Sequence, residues 1–175
     1  LLSFFLFIFI YFGVELIIDL FFDFNIYFES IQLTKILCVA LYLKIFATSL
    51  TDILTTSFKQ ELRTKAVGFG AIISLLTLFV LVPIFNLNGA VYSVVITEFT
   101  IVFFSLLYSS VYIRKLAIRL IFTNSIIIII TIIIFNLIEI PYVLIIATSL
   151  VLFILLSSLF KSFTFKDLIN LKNEI

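Results

Sequence analysis

Lys44, Asp52, Glu98, Glu15 and Asp19 interrupt long runs of Leu, Ile, Val and Phe. An ionisable group deep in a lipid-embedded helix costs roughly 2.5–3.5 kcal/mol, so it ordinarily faces a cavity or a partner. Lys44 lies ten residues beyond Thr34, which is about 15 Å into a hydrocarbon core about 30 Å thick. Glu98 lies nine residues beyond Gly89, a depth of about 13 Å from the same face. Opposite charges at nearly equal depth predict an ion pair, and pairing lowers the cost of both. Such a pair either ties two helices together or gives up one partner for a substrate or an ion.

Lys44, Thr48, Thr51, Asp52 and Thr55 recur at helical spacing and form one polar stripe. In lipid, a stripe of this kind turns towards a wet cavity or a packed polar seam between helices. Glu15 and Asp19 stand one turn apart, with Tyr11 one turn earlier. They read as a solvated rim or as a cation or proton site facing a cavity.

Other chemistries are missing from the sequence. The chain has no histidine, which removes His-based triads and most zinc sites, so no metal is expected. The lone Cys38 sits in an apolar run and reads as a small buried hydrophobe, without a disulfide partner. No nucleotide-binding loop and no nucleophile–base arrangement appears, so the chain is not expected to be an enzyme or to carry a cofactor. Ser157 and Ser158 read as ordinary polar residues in a helix. A net charge of +1 offers no basic excess for nucleic acid.

The elements that position these groups follow from composition. Hydrophobic residues make up 64% of the 175 and charged residues 12%, about half the usual share for a soluble domain. The solvent for such a chain is lipid. Apolar runs at 1–22, 34–58, 66–85, 90–113, 120–138 and 142–160 predict an all-α integral membrane fold of about six transmembrane helices. The isoleucine-rich stretch 126–134 would favour a strand in water. An open strand in hydrocarbon leaves backbone groups unpaired, so helix is expected there.

Charge sets the expected orientation. Lys59, Glu61, Arg63 and Lys65 share one connection, Arg114, Lys115 and Arg119 another, and Lys161, Lys166 and Lys172 the tail. The alternate connections carry Asp23, Glu29 and Glu139, with Lys35 the cation near them. By the positive-inside rule, the cationic connections and both chain ends lie in the cytoplasm. Tyr27, Tyr92 and Tyr142 fall near the outer boundary, and Tyr108 and Tyr112 near the inner one. The chain opens on Leu1 inside an apolar run, without a recognisable signal peptide, and is read as starting within a larger protein.

Ala66, Gly70 and Ser74 recur every four residues, as do Gly89, Ser93 and Thr97. Small residues at that interval let helix backbones approach closely in lipid, so the third and fourth spans are expected to pack together. Pro83 is placed to kink or end the third span.

The stretch Leu81-Val-Pro-Ile-Phe-Asn-Leu-Asn-Gly-Ala-Val-Tyr-Ser-Val-Val-Ile-Thr-Glu98 resembles the Wzx-type oligosaccharide flippases, relatives of the MATE antiporters and MurJ-like lipid flippases. That family's pattern is Ile-Pro, a short turn, Gly-Ala-Ala, then Ser-Glu or Thr-Glu nine residues after the Gly. Pro83, Gly89, Ala90, Thr97 and Glu98 match it in spacing. Asn86 departs from it, standing where the family often has Gly; Asn too tolerates a left-handed turn.

The resemblance covers residues 13–115 and implies that 1–115 are the last four helices of the C-terminal lobe of a MATE-like two-lobe transporter. Residues 116–175 would add two helices and a cytoplasmic tail. An N-terminal lobe of the same polypeptide would complete it. The resemblance further implies a bacterial or archaeal cytoplasmic membrane protein. It would move undecaprenyl diphosphate-linked oligosaccharide to the outer leaflet by alternating access. Lys44 would attract the diphosphate or neutralise an acidic partner, while Asp52, Glu98 and Glu15 would carry coupled H+ or Na+. The alternatives are a MATE-type cation-coupled drug antiporter and, behind it, a membrane-embedded polysaccharide polymerase or acyltransferase. The short external loops, which lack Arg and His, speak against the last two.

Overall fold

The structure, a computed structural model, describes residues 2–22 and 24–138, with the side chains of 7–15, 17–22 and 26–133. Every element in this range is an α-helix: α1 (Leu2–Phe21), α2 (Phe24–Thr56), α3 (Gln60–Phe85), α4 (Leu87–Tyr108) and α5 (Val111–Ile138). Among the described residues, four stretches are long and apolar enough to cross a membrane: Ile26–Thr56, Gln60–Phe85, Leu87–Tyr108 and Val111–Ile133. The described residues are therefore all-α, with the make-up of a membrane protein. The expected sixth span at 142–160 lies outside the described residues, as do Asp23, Glu139, Tyr142, Ser157, Ser158 and the lysines of the tail.

Helix boundaries differ from the apolar runs for a physical reason. Apolar runs mark what lipid covers, whereas a helix continues wherever its backbone bonds can propagate. Thus α2 begins at Phe24 and not at 34, and runs 33 residues through Glu29, Ser30 and Gln32. At about 1.5 Å per residue it is about 50 Å long, well beyond a core of about 30 Å. Likewise α3 takes in Glu61, Arg63 and Lys65, and α5 takes in Arg114, Lys115 and Arg119. Most of the charges expected in loops are carried on helix ends. The stretch 126–134 is helical, as hydrocarbon solvation requires.

The chain divides into two compact units. Among the described residues, one joins the N-terminal residues up to Ile31 with residues 115–138, and the other is Gln32–Arg114. In the first, Ile8 and Ile127 are almost fully buried, and the buried Thr131 hydroxyl donates to the Ile127 carbonyl at 2.8 Å.

The second unit is organised around the α3–α4 hairpin. Ala66 and Gly70 are the buried residues of α3, and Gly89, Ser93, Glu98, Val102 and Ser105 those of α4. A Cβ placed on Gly89 would run into the backbone of Leu81, and one on Gly70 into the side chain of Ile101. Phe69 stacks on Phe104 with ring centroids 4.5 Å apart, and Phe85 meets Tyr92 edge-on at 6.2 Å. Packing between these helices thus follows the small-residue pattern, with Ser74 and Thr97 half-buried at its ends.

Only Asn86 separates α3 from α4. Its φ of 51° and ψ of −126° match the first central position of a type II′ turn, a setting dominated by glycine. Asn86 is thus at positive φ, but not in the left-handed helical region. Its N–H donates to Val82 O at 2.8 Å, which closes α3. Pro83 lies inside the last turn of α3 and does not itself end the helix.

At the other end of α4 the chain breaks at Ser109 and Ser110. Arg114 spans the break. Its Nε donates to Leu106 O at 2.8 Å, and its Nη2 to Leu107 O at 2.7 Å and Ser109 O at 3.2 Å. The last carbonyls of a helix lack intrahelical partners, and a guanidinium there meets both their hydrogen-bonding capacity and the negative end of the helix dipole.

Candidate functional site

Lys44 on α2 and Glu98 on α4 form the centre of the candidate site. Lys44 Nζ is 3.6 Å from Glu98 Oε1, so the two groups placed at similar depth by counting do meet. Their environments are unequal. The Lys44 side chain is 62% exposed, and that of Glu98 12%. The carboxylate is fixed on the packed face of α4, between Ser93 and Val102. The ammonium reaches it on a flexible stem and keeps donors free for another acceptor.

The remainder of the α2 stripe is distributed around this pair. Thr48 and Asp52 are exposed, Thr55 is half-buried, and Thr51 is buried. The stripe therefore straddles the edge of the packed face. Its hydroxyls point back along their own helix: Thr48 Oγ1 donates to Lys44 O at 2.8 Å, Thr51 to Thr48 O at 2.9 Å, and Thr55 to Thr51 O at 2.9 Å. Threonine in a membrane helix commonly satisfies its proton in this way. With those protons committed, the hydroxyls that remain accessible can only accept.

On α4 the pattern repeats. Ser93 Oγ donates to Ala90 O and Thr97 Oγ1 to Ser93 O, each at 2.7 Å. Ser105 is different. It is fully buried, and its hydroxyl has no hydrogen-bond partner among the described residues. Sequence reasoning passed over it, although Glu98, Val102, Ser105 and Ser109 lie on one helical face and a face count would have found it.

Glu15, half-buried, and Asp19, exposed, lie on α1 in the other unit. Cys38 is a buried free thiol, in keeping with its apolar surroundings in the sequence. No cluster of three metal-ligating side chains occurs among the described residues.

The site thus pairs a buried carboxylate with an accessible ammonium beside a run of hydrogen-bond acceptors. Such an arrangement can bind an anion at Lys44, or a cation at Glu98 once Lys44 has moved. No family model, curated protein or solved structure matches the chain.

Proposed function

We propose that this chain is part of a membrane flippase that carries undecaprenyl diphosphate-linked oligosaccharide across the cytoplasmic membrane of a bacterium or archaeon. The observation that carries this reading is the Lys44–Glu98 pair, with its ammonium exposed and its carboxylate buried. An incoming diphosphate competes with Glu98 for Lys44, and its greater negative charge makes it a stronger partner for the ammonium than a single carboxylate oxygen at 3.6 Å. Once Lys44 turns to the diphosphate, Glu98 is left buried and uncompensated, a costly state that uptake of H+ or Na+ relieves. Substrate binding and ion binding are thereby coupled through one exchangeable contact. Asp52 lies two turns from Lys44 along α2 and Glu15 on α1, and both serve this reading as further carboxylates for the coupled ion.

In this proposal α1 to α4 belong to one lobe of a MATE-like transporter. An N-terminal lobe closes the cavity, the chain ends are cytoplasmic, and the lobes alternate access between leaflets. The motif from Pro83 through Gly89 to Glu98 supports the assignment by its spacing.

A second reading, a MATE-type cation-coupled drug antiporter, is favoured by the burial of Glu98 alone, because a membrane carboxylate suffices to exchange a cation for a proton. Surface glycan and drug susceptibility are measured in cells that carry the full-length protein or its Lys44→Ala variant at matched membrane levels. The flippase reading expects glycan export to fall in the variant and drug susceptibility to stay the same. Unchanged export, with a loss of drug resistance, would select the antiporter.

A further inference from the structure

The turn between α2 and α3 places an aromatic ring where the backbone calls for glycine. Phe58 N donates to Thr55 O at 3.2 Å and Lys59 N to Leu54 O at 2.9 Å, the paired bonds of a Schellman motif. Phe58 is the residue past the C-cap, at φ 57°, a conformation that is uncommon and costly for a bulky side chain. The ring gains nothing from the protein in return, since it is 93% exposed.

Two cations stand beside it. Lys59 caps the start of α3, and Arg63 N donates to Lys59 O at 3.2 Å, so the two lie one turn apart on the same face. Glu61 falls on the opposite side of that turn. Lys59 and Arg63 are both exposed, and neither forms an ion pair among the described residues. The turn joins two helices long and apolar enough to cross a membrane, which puts it at a bilayer boundary.

We propose that Phe58, Lys59 and Arg63 form a binding site for an anionic phospholipid. Lys59 and Arg63 hold the headgroup phosphate, and Phe58 lies against the upper acyl chains. Two cations alone would fit any phosphate. The exposed ring, kept at a backbone cost, fits a ligand whose phosphate is joined to hydrocarbon. The site is independent of what the protein transports.

The full chain is reconstituted in bilayer discs of phosphatidylcholine with phosphatidylglycerol, and retained lipid is measured by native mass spectrometry. Wild type is expected to enrich phosphatidylglycerol. Lys59→Gln and Arg63→Gln are each expected to lower that enrichment about fivefold, as for loss of one basic group near an anionic surface. Glu61→Gln is expected not to lower it. Phe58→Gly is expected to lower lipid retention while raising the thermal midpoint in lipid-free detergent, opposite signs that a purely structural role for the ring would not give. Equal retention by wild type, Lys59→Gln and Arg63→Gln would overturn the proposal. So would complete displacement of the lipid by inorganic phosphate with no effect of Phe58→Gly, which would mark a site for soluble anions.

Discussion

Lys44 Nζ and Glu98 Oε1 lie 3.6 Å apart, yet one side chain is 62% exposed and the other 12%. The two ends of the contact therefore do not carry equal risk. Removing Lys44 leaves a carboxylate on the packed face of α4 without its partner, whereas removing Glu98 leaves an ammonium that solvent or a lipid headgroup can serve.

Lys44→Ala is accordingly expected to lower stability in detergent by about 1–2 kcal/mol, between the values for exposed and buried pairs. Glu98→Gln should cost less. The double variant Lys44→Ala/Glu98→Gln should recover most of the loss in thermal midpoint, because it leaves no buried carboxylate without its partner. A double-variant cost equal to the sum of the two single costs would show that the two side chains act independently.

Gly89→Ala is expected to destabilise the protein by about 1–3 kcal/mol, because the added methyl meets the rigid Leu81 backbone and the helices must part. Gly70→Ala meets only the flexible side chain of Ile101. Its cost should be smaller and should largely vanish in combination with Ile101→Ala. Thermal unfolding of the four variants reads this directly, and equal costs at the two glycines would contradict the packing described for α3 and α4.

Asn86→Gly should raise the thermal midpoint, by about 1 kcal/mol of stability, since glycine enters the positive-φ turn without steric cost. Asn86→Val, branched at Cβ, should lower it. A Gly variant no more stable than wild type would mean that the Asn side chain contributes something the backbone geometry does not show.

Glu61→Cys provides a test of orientation. Cys38 is buried and should stay silent towards a membrane-impermeant thiol reagent, so the labelling gained over the parent protein reports on position 61. With the basic connection 59–65 in the cytoplasm, whole cells should not label and inverted membrane vesicles should. The reverse result would turn the topology over.

Much of this arrangement was legible in the residues themselves. Counting from Thr34 and Gly89 placed Lys44 and Glu98 at similar depth, because helical rise converts residue number into distance along a helix. The four-residue rhythm of Ala66, Gly70 and Ser74 against Gly89, Ser93 and Thr97 announced the α3–α4 contact, because close approach leaves room only for small side chains.

Helix ends were harder to read. Glu29 and Arg114 flank the apolar runs in the sequence, but neither stops a helix, so α2 starts earlier than its apolar run and α5 begins at Val111. The bridging of α4 by Arg114 depends on a turn whose geometry spacing does not reveal. Phe58 carries no turn signal at all, and only its backbone angle discloses the motif. The hydroxyls of the α2 stripe look like free polar groups in the sequence, yet their protons are spent within the same helix.

The single-residue link at Asn86 and the seating of Gly89 against Leu81 have a mechanical consequence. With no slack at the tip and no gap at the seam, α3 and α4 cannot slide or scissor independently. In the proposed transport cycle the two helices would move as one lever arm, carrying Glu98 with them.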